Sequence, residues 1–282
     1  MPGYLLHTGR ICNIIKKIKI KYLKLKVKIL MQIFNRNKVA IIRFSGAITA
    51  QSVAPYIRLL KKIERMKSIK GVMFVIDSPG GSAIHSELLF LSIKRLKDKG
   101  KTIYGYLEIA ASGGYMISCA LEKLYAPSTA VIGSIGVISI KPVLKEILEK
   151  IGIGYEVVKK GRHKDMWLFT RNYSEEERES VNKLQEEIYN RFIEIVSEGR
   201  GIPSEDVLSI ATGELFSSKK SIALKLIDKV SGFDDALEDL CKIVKADPNK
   251  AVRLEIKKPF FQRIIGASIN NMIEDIYYRA VY

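Results

Sequence analysis

Ser112 stands in Ala110-Ala111-Ser112-Gly113-Gly114-Tyr115, and Lys164 stands in Lys159-Lys160-Gly161-Arg162-His163-Lys164-Asp165. A hydroxyl flanked by small residues and followed by two glycines suits a sharp strand-to-helix turn. Glycine has no Cβ to obstruct either the turn or an approaching chain. A helix expected over residues 115–121 would aim free N–H groups at whatever sits over Ser112, where they favour developing negative charge. The chemistry this suggests is nucleophilic attack on a carbonyl. It needs a base, donors for the oxyanion and a groove for a chain.

The base is the hard part. The chain has three histidines. His7 falls outside the region that carries Ser112. His85 lies on the helix expected after Gly80-Gly81 and reads as satisfied or solvent-facing. His163 adjoins Lys164. Spacing leaves a Ser-His-Asp triad open without favouring it, and a Ser-Lys pair is the alternative. At a reference value of ~10.4, only a few lysines in ten thousand are neutral at pH 7. Lowering that value to roughly 7–8 takes ~4 kcal/mol, which burial against apolar surface can supply. Met166, Trp167, Leu168 and Phe169 lie just after Lys164, an apolar cluster that is the home of the chain's one Trp. Lys164 is therefore either the base or half of a surface ion pair with Asp165. Gly80 and Gly81, in Asp77-Ser78-Pro79-Gly80-Gly81-Ser82, and Gly113 after the nucleophile are candidate oxyanion donors. Two such donors are worth ~3 kcal/mol or more in a transition state. A plain turn is the competing reading of the glycine pair.

These residues need elements to hold them. β-branched runs predict strands over 39–44, 71–76 and 102–107. Helical spacing predicts helices over 52–66 and 82–97. Further β structure is expected at Tyr125 and over 130–140, with bends at Gly133 and Gly136, then a helix over 141–150 and a strand over 154–159. A long charged helix spans 174–198, with Ser174 and Glu177 in capping-box positions. Strands alternating with helices imply βαβ units and a largely parallel sheet, the α/β class. Chemistry in such sheets sits at the carboxyl ends of strands, which is where both Gly80-Gly81 and Ser112 fall.

The chain has 282 residues, 47% of them hydrophobic, and a net charge of +17. That length fits one sizeable domain with extensions: a basic N-terminal extension over 1–38, a catalytic domain over 39–246 and a tail over 247–282. Three scattered cysteines argue against a disulfide framework, and Cys119 reads as a buried small hydrophobe. No metal-ligand spacing is present, so neither metal nor cofactor is expected. No Asp or Glu precedes Glu64, and Ile11, Ile15, Ile18, Tyr22, Leu25 and Ile29 form one stripe among ten basic residues of 10–38. That pattern reads as a surface-lying contact with anionic membrane, as a solvated or partner-covered helix, or as a start-site artefact, since Met31 immediately precedes the first strand. No run of ~20 apolar residues could span a membrane, and no cleavable signal is seen. Nucleic acid is not an expected partner, because no binding motif accompanies the charge.

Taken together, five segments resemble the signal peptide peptidase A family, Ser-Lys serine proteases of the bacterial inner membrane. They are Asp77 to Gly81, Ala111 to Tyr115, Thr129 to Ile138, Gly161 to Asp165, and Gly213-Glu214-Leu215-Phe216 through Ala223 to Leu226-Ile227-Asp228. The resemblance implies Ser112 as nucleophile, Lys164 as general base and Ser134 as the hydroxyl that orients the amine. It implies a Clp-protease/crotonase-type ββα superhelical spiral, and rings whose active sites lie at subunit interfaces, hence a homo-oligomer. The chain departs from the family in lacking a transmembrane helix, which leaves a peripheral membrane or cytoplasmic location open. It also has Lys225 where the family has Gly, with a local helix-end change as the expected result. The expected activity is endopeptidase cleavage of signal-peptide remnants or other membrane-derived or unfolded peptides, with small or apolar side chains favoured. Two rivals remain. One is a crotonase-like acyl-CoA enzyme that uses the same glycines with Asp77 or Glu108 as base. The other is a non-catalytic membrane-surface scaffold.

Overall fold

A computed structural model describes residues 37–256. Its centre is a parallel run of three strands, β1 (Lys38–Ser45), β2 (Ile69–Ser78) and β3 (Thr102–Ala111), rich in residues that suit a buried sheet. β5 (Val131–Gly133) continues beside the carboxyl end of β3, with Ala111 opposite Gly133. β6 (Leu215–Ser217) closes that edge as the one antiparallel neighbour among the described pairs. β4 (Lys123–Ala126) pairs with β3 and carries β7 (Lys229–Val230). On the other edge, β8 (Val252–Arg253) lies beside β1, so the described start of the tail joins the sheet.

Helices cover both faces. One face packs α1 (Ala50–Arg65), α2 (Ala83–Asp98) and α3 (Gly113–Ser118) over Ile42, Phe44, Phe74, Ile76 and Leu107. The apolar side of α5 (Glu175–Arg200), with Phe192, Ile193, Ile195 and Val196, joins the same core. The other face packs α8 (Phe233–Val244) over Val39, Met73, Val75, Tyr104 and Tyr125. The short helices α4 (Lys145–Lys150), α6 (Ser204–Ile210) and α7 (Ser218–Ala223) complete the described set. The α/β class with a largely parallel sheet is therefore observed, and the capping box at α5 forms as the spacing of Ser174 and Glu177 predicts.

Two expectations fail for one reason. Residues 154–159 form no strand, and the β structure after Ala130 stops at Gly133. A strand needs a hydrogen-bonded neighbour; 154–159 pairs with no strand, and beyond Gly133 only single bonds from Ser134 and to Ile135 tie the segment to residues 213–214. At Gly133 the backbone turns to φ +111° and at Ser134 to +48°, which ends the pairing. The helix expected over 141–150 shortens to Lys145–Lys150. Much of 138–169 then lies outside the core with apolar side chains in the open: Ile138 is 78% exposed, Val158 91% and Trp167 52%. The basic stripe before residue 37 and the tail after 256 lie outside the described residues, as do His7 and Cys12. Among the described residues no helix is long and apolar enough to cross a membrane.

Candidate active site

Ser112 links β3 to α3 with φ 51° and ψ −120°. An L-residue held there costs ~1–3 kcal/mol and persists only where the surroundings over-determine it. They do so here. The Ser112 N–H donates to the Gly133 carbonyl at 2.8 Å, and the Ser112 carbonyl accepts from Tyr115 and Met116 at 2.9 and 3.0 Å. A Cβ on Gly113 would stand 2.1 Å from Ser86 Oγ, and one on Gly114 2.8 Å from the Ser78 carbonyl. The two glycines therefore let α3 sit directly against α2 and the end of β2.

The glycine turn lies against the same point. Gly80 and Gly81 have φ +99° and +144°, and a Cβ on Gly80 would meet Ser112 Cβ at 2.8 Å and the Gly113 nitrogen at 2.9 Å. Ile48 holds the turn from outside: its N–H donates to the Gly80 carbonyl at 2.8 Å and its carbonyl accepts from Ser82 at 2.9 Å. The Gly80 N–H is already directed to Ser78 Oγ at 3.2 Å. The N–H groups of Gly81 and Gly113 have no acceptor among the described residues, which leaves two of the three expected donors free.

A cavity of 550 Å³ opens beside Ser112. Ser134 and Gly136 to Ile138 line one part, Ala211 to Gly213 another, and Gln185, Glu186 and Tyr189 of α5 a third. The late motif has its explanation here: the Ser134 N–H donates to the Glu214 carbonyl at 2.7 Å, and the Gly213 N–H to the Ile135 carbonyl at 3.0 Å. Tyr189 OH donates to the Ala211 carbonyl at 2.7 Å and fastens α5 to the cavity.

Lys164 is placed elsewhere. It is exposed, it does not line this cavity, and its ammonium has no partner among the described residues. The ion pair with Asp165 does not form, because Asp165 is taken by Lys159 at 2.5 Å and Arg171 at 3.0 Å. Arg171 also grips Glu177 through two bonds, at 2.7 and 2.6 Å. Arg171 and then Lys159 hold the Asp165 carboxyl well below the usual range. Arg171, helped by the Ser174 N–H, holds Glu177 at about 2. Arg162 pairs with Glu176, and His163 lies 3.5 Å from the same carboxylate. The Lys164 loop is thus moored to the first turn of α5. Within one chain Ser112, Ser134, Gly80, Gly81 and Gly113 come together and Lys164 stays apart.

The remaining chemical groups fall away from the site. His85 shares a hydrogen bond with Ser82 Oγ at 2.8 Å. Cys119 is buried, and burial pushes its thiol up to about 12, so it is no nucleophile at neutral pH. Asp77 and Glu108 lie on the α8 face of the sheet. Arg43 holds Glu108 through bonds of 2.7 and 2.5 Å, and Asp77 lies 3.5 Å from the same guanidinium. The acyl-CoA reading has no base at the glycine turn. Residues 226–228 brace the nucleophile helix: Tyr115 OH donates to the Leu226 carbonyl at 2.8 Å, while buried Arg200 holds Asp228 at 2.9 Å. Lys225 has φ +59° and closes α7 with N–H bonds from Lys225 to Ile222 and from Leu226 to Ser221, a Schellman ending that favours glycine. Gln185, Glu186, Tyr189 and Thr212 were not singled out by sequence reasoning. Their helical and loop contexts carry no chemical signature, and only the three-residue pairing of β5 with β6 brings the late loop to Ser134.

Comparison with known proteins gives the family of the chain. The model of peptidase family S49 matches residues 95–247. A protein of Synechocystis sp. described as a "putative protease" is 32% identical over 82% of this chain and 84% of its own. A protein of Enterococcus faecium described as a "putative signal peptide peptidase" is 32% identical over 66% of this chain and 55% of its own. The chloroplastic serine protease SPPA of Arabidopsis thaliana is 29% identical over 79% and 35%. Among solved structures, the catalytic domain of the ClpP protease from Plasmodium falciparum is similar with a TM-score of 0.46 at 13% identity, over 68% of this chain and 84% of that one. Matched by the family's model over more than half its length, the chain belongs to peptidase family S49, a family of proteases.

Proposed function

We propose that the protein is a serine endopeptidase in which Ser112 attacks the peptide carbonyl and Lys164 of a neighbouring copy takes its proton. The observation that carries this reading is the strained backbone of Ser112 beside two unclaimed N–H groups, those of Gly81 and Gly113. Ser112 Oγ bonds to the carbonyl carbon as its proton passes to the lysine amine. The oxyanion is met by the two N–H groups. Collapse breaks the C–N bond, and the leaving amine takes the proton back. Water, deprotonated by the same amine, then hydrolyses the ester. Ser134, on the cavity with Ser112, holds the amine in line.

Assignment of the lysine to a second copy is supported by its position. Its side chain is exposed and has no partner among the described residues, on a segment whose apolar surface is bare in a single chain. A neighbour in a ring would cover that surface and bring the amine to the cavity. The substrates are extended peptides, such as signal-peptide remnants or other membrane-derived or unfolded chains, which pair with the backbone beside Ser112. The basic residues of 10–38 and their apolar stripe support a peripheral contact with anionic membrane. A fluorophosphonate probe should label Ser112, and Ser112→Ala should abolish both labelling and casein cleavage. Ser112→Ala and Lys164→Ala proteins, each inactive alone, should regain part of the activity when unfolded and refolded together. No recovery in mixed assemblies would place the base elsewhere.

A further inference from the structure

We propose that Glu186 makes the cavity beside Ser112 a seat for a long cationic side chain, so that peptides presenting lysine or arginine there are preferred; this rests on the peptidase reading above. Glu186 is the one charged residue among those lining the cavity. It lies on α5, one position from Gln185 and three from Tyr189, which also line it. Its carboxylate makes no ion pair among the described residues, and cations elsewhere on the helix are held by other carboxylates. Lys183 is bound to Glu179 at 2.7 Å, and Arg191 to Glu87 at 2.9 Å and Glu194 at 3.1 Å.

The rest of the lining suits such a guest. Val137, Ile138 and Tyr189 offer apolar surface to a methylene stem, while the head group reaches the carboxylate. A neutral apolar side chain would fill the same surface but give the Glu186 carboxylate no partner. At a net charge of +17 the chain repels cationic peptides at long range, so any preference for them has to be made locally. Glu186 is exposed, which limits the effect to that of one solvent-screened ion pair. This narrows the expectation that small or apolar side chains alone are favoured.

Ser112→Ala protein leaves peptides intact and lets binding be read alone. Fluorescent peptides that differ by lysine against norleucine, with the changed position scanned along the chain, are titrated by anisotropy. At one position the lysine peptide should bind about three- to fivefold more tightly, and the advantage should shrink at high ionic strength. Glu186→Gln in the same background should bring the ratio towards one, and Glu186→Lys should invert it. Glu187→Gln, one position along and off the cavity, should keep it. Equal binding at every position, or a preference indifferent to Glu186, overturns the proposal. Wild-type cleavage is scored separately. Cleavage that Ser112→Ala removes keeps the peptidase reading whatever the ratio. A Glu186-dependent preference without cleavage keeps the seat and removes that reading.

Discussion

Ser112 holds a backbone conformation that a serine in a free chain seldom visits, and every contact around it maintains that state. The close approaches of Gly80, Gly113 and Gly114 leave no room for even a methyl group, so alanine at any of them should displace the nucleophile. Lys225 is the opposite case: a residue with a Cβ occupies a left-handed helix ending, held there by its backbone bonds to Ile222 and Arg200. Relief of that strain is worth ~1 kcal/mol, offset in part by the greater freedom of glycine when unfolded. Lys225→Gly should therefore raise the melting temperature by a degree or two at most, below the roughly 2–4 °C that a full 1 kcal/mol would give in a domain of this size, and a fall would contradict the strain. The glycine pattern made the nucleophile readable from sequence, because space and turn geometry dictate those residues. The direction of each N–H was not readable. Only the structure reveals that Ser78 Oγ engages the Gly80 N–H and leaves the other two free.

At the scale of elements, α5 does the connecting. Its 26 residues span about 39 Å at 1.5 Å per residue. Its first turn holds the Lys164 loop through Arg171, its middle lines the cavity, and its end braces Asp228. Because Glu177 is held at about 2, below the ordinary carboxylate value of ~4.3, its contribution to stability is complete above ~4.3. It is lost as pH falls from there towards 2. Thermal scans against pH should show Glu177→Gln melting lower than wild type at pH 7, with the gap closing across that acid range. A constant gap would mean that the carboxylate charge is not what holds the turn. The helix itself, its cap and the central strands were legible because each is specified within a few residues. The 154–159 run was misread as a strand because an apolar β-branched pattern cannot reveal whether a partner strand exists. The Arg171 mooring went unseen because Asp165 and Arg171 lie in loop, where no period tells which side chains meet.

For the whole molecule, the exposed apolar side chains of 138–169 make concentration a variable. If a neighbouring copy covers them and supplies Lys164, specific activity should fall on dilution as the assembly dissociates. Activity per copy measured across a dilution series, alongside sedimentation, checks this, and a constant value would assign the reaction to a single chain. A different consequence follows from the order in which the supports of Ser112 occur along the polypeptide. The nucleophile and its glycines are made early, but Glu214 and Leu226, which secure Ser134 and Tyr115, are among the last parts of the domain to be synthesised. A growing polypeptide therefore carries its serine through the synthesis of the rest of the domain without the geometry that would make it reactive. The ribosome finishes the domain before there is a blade to close on it.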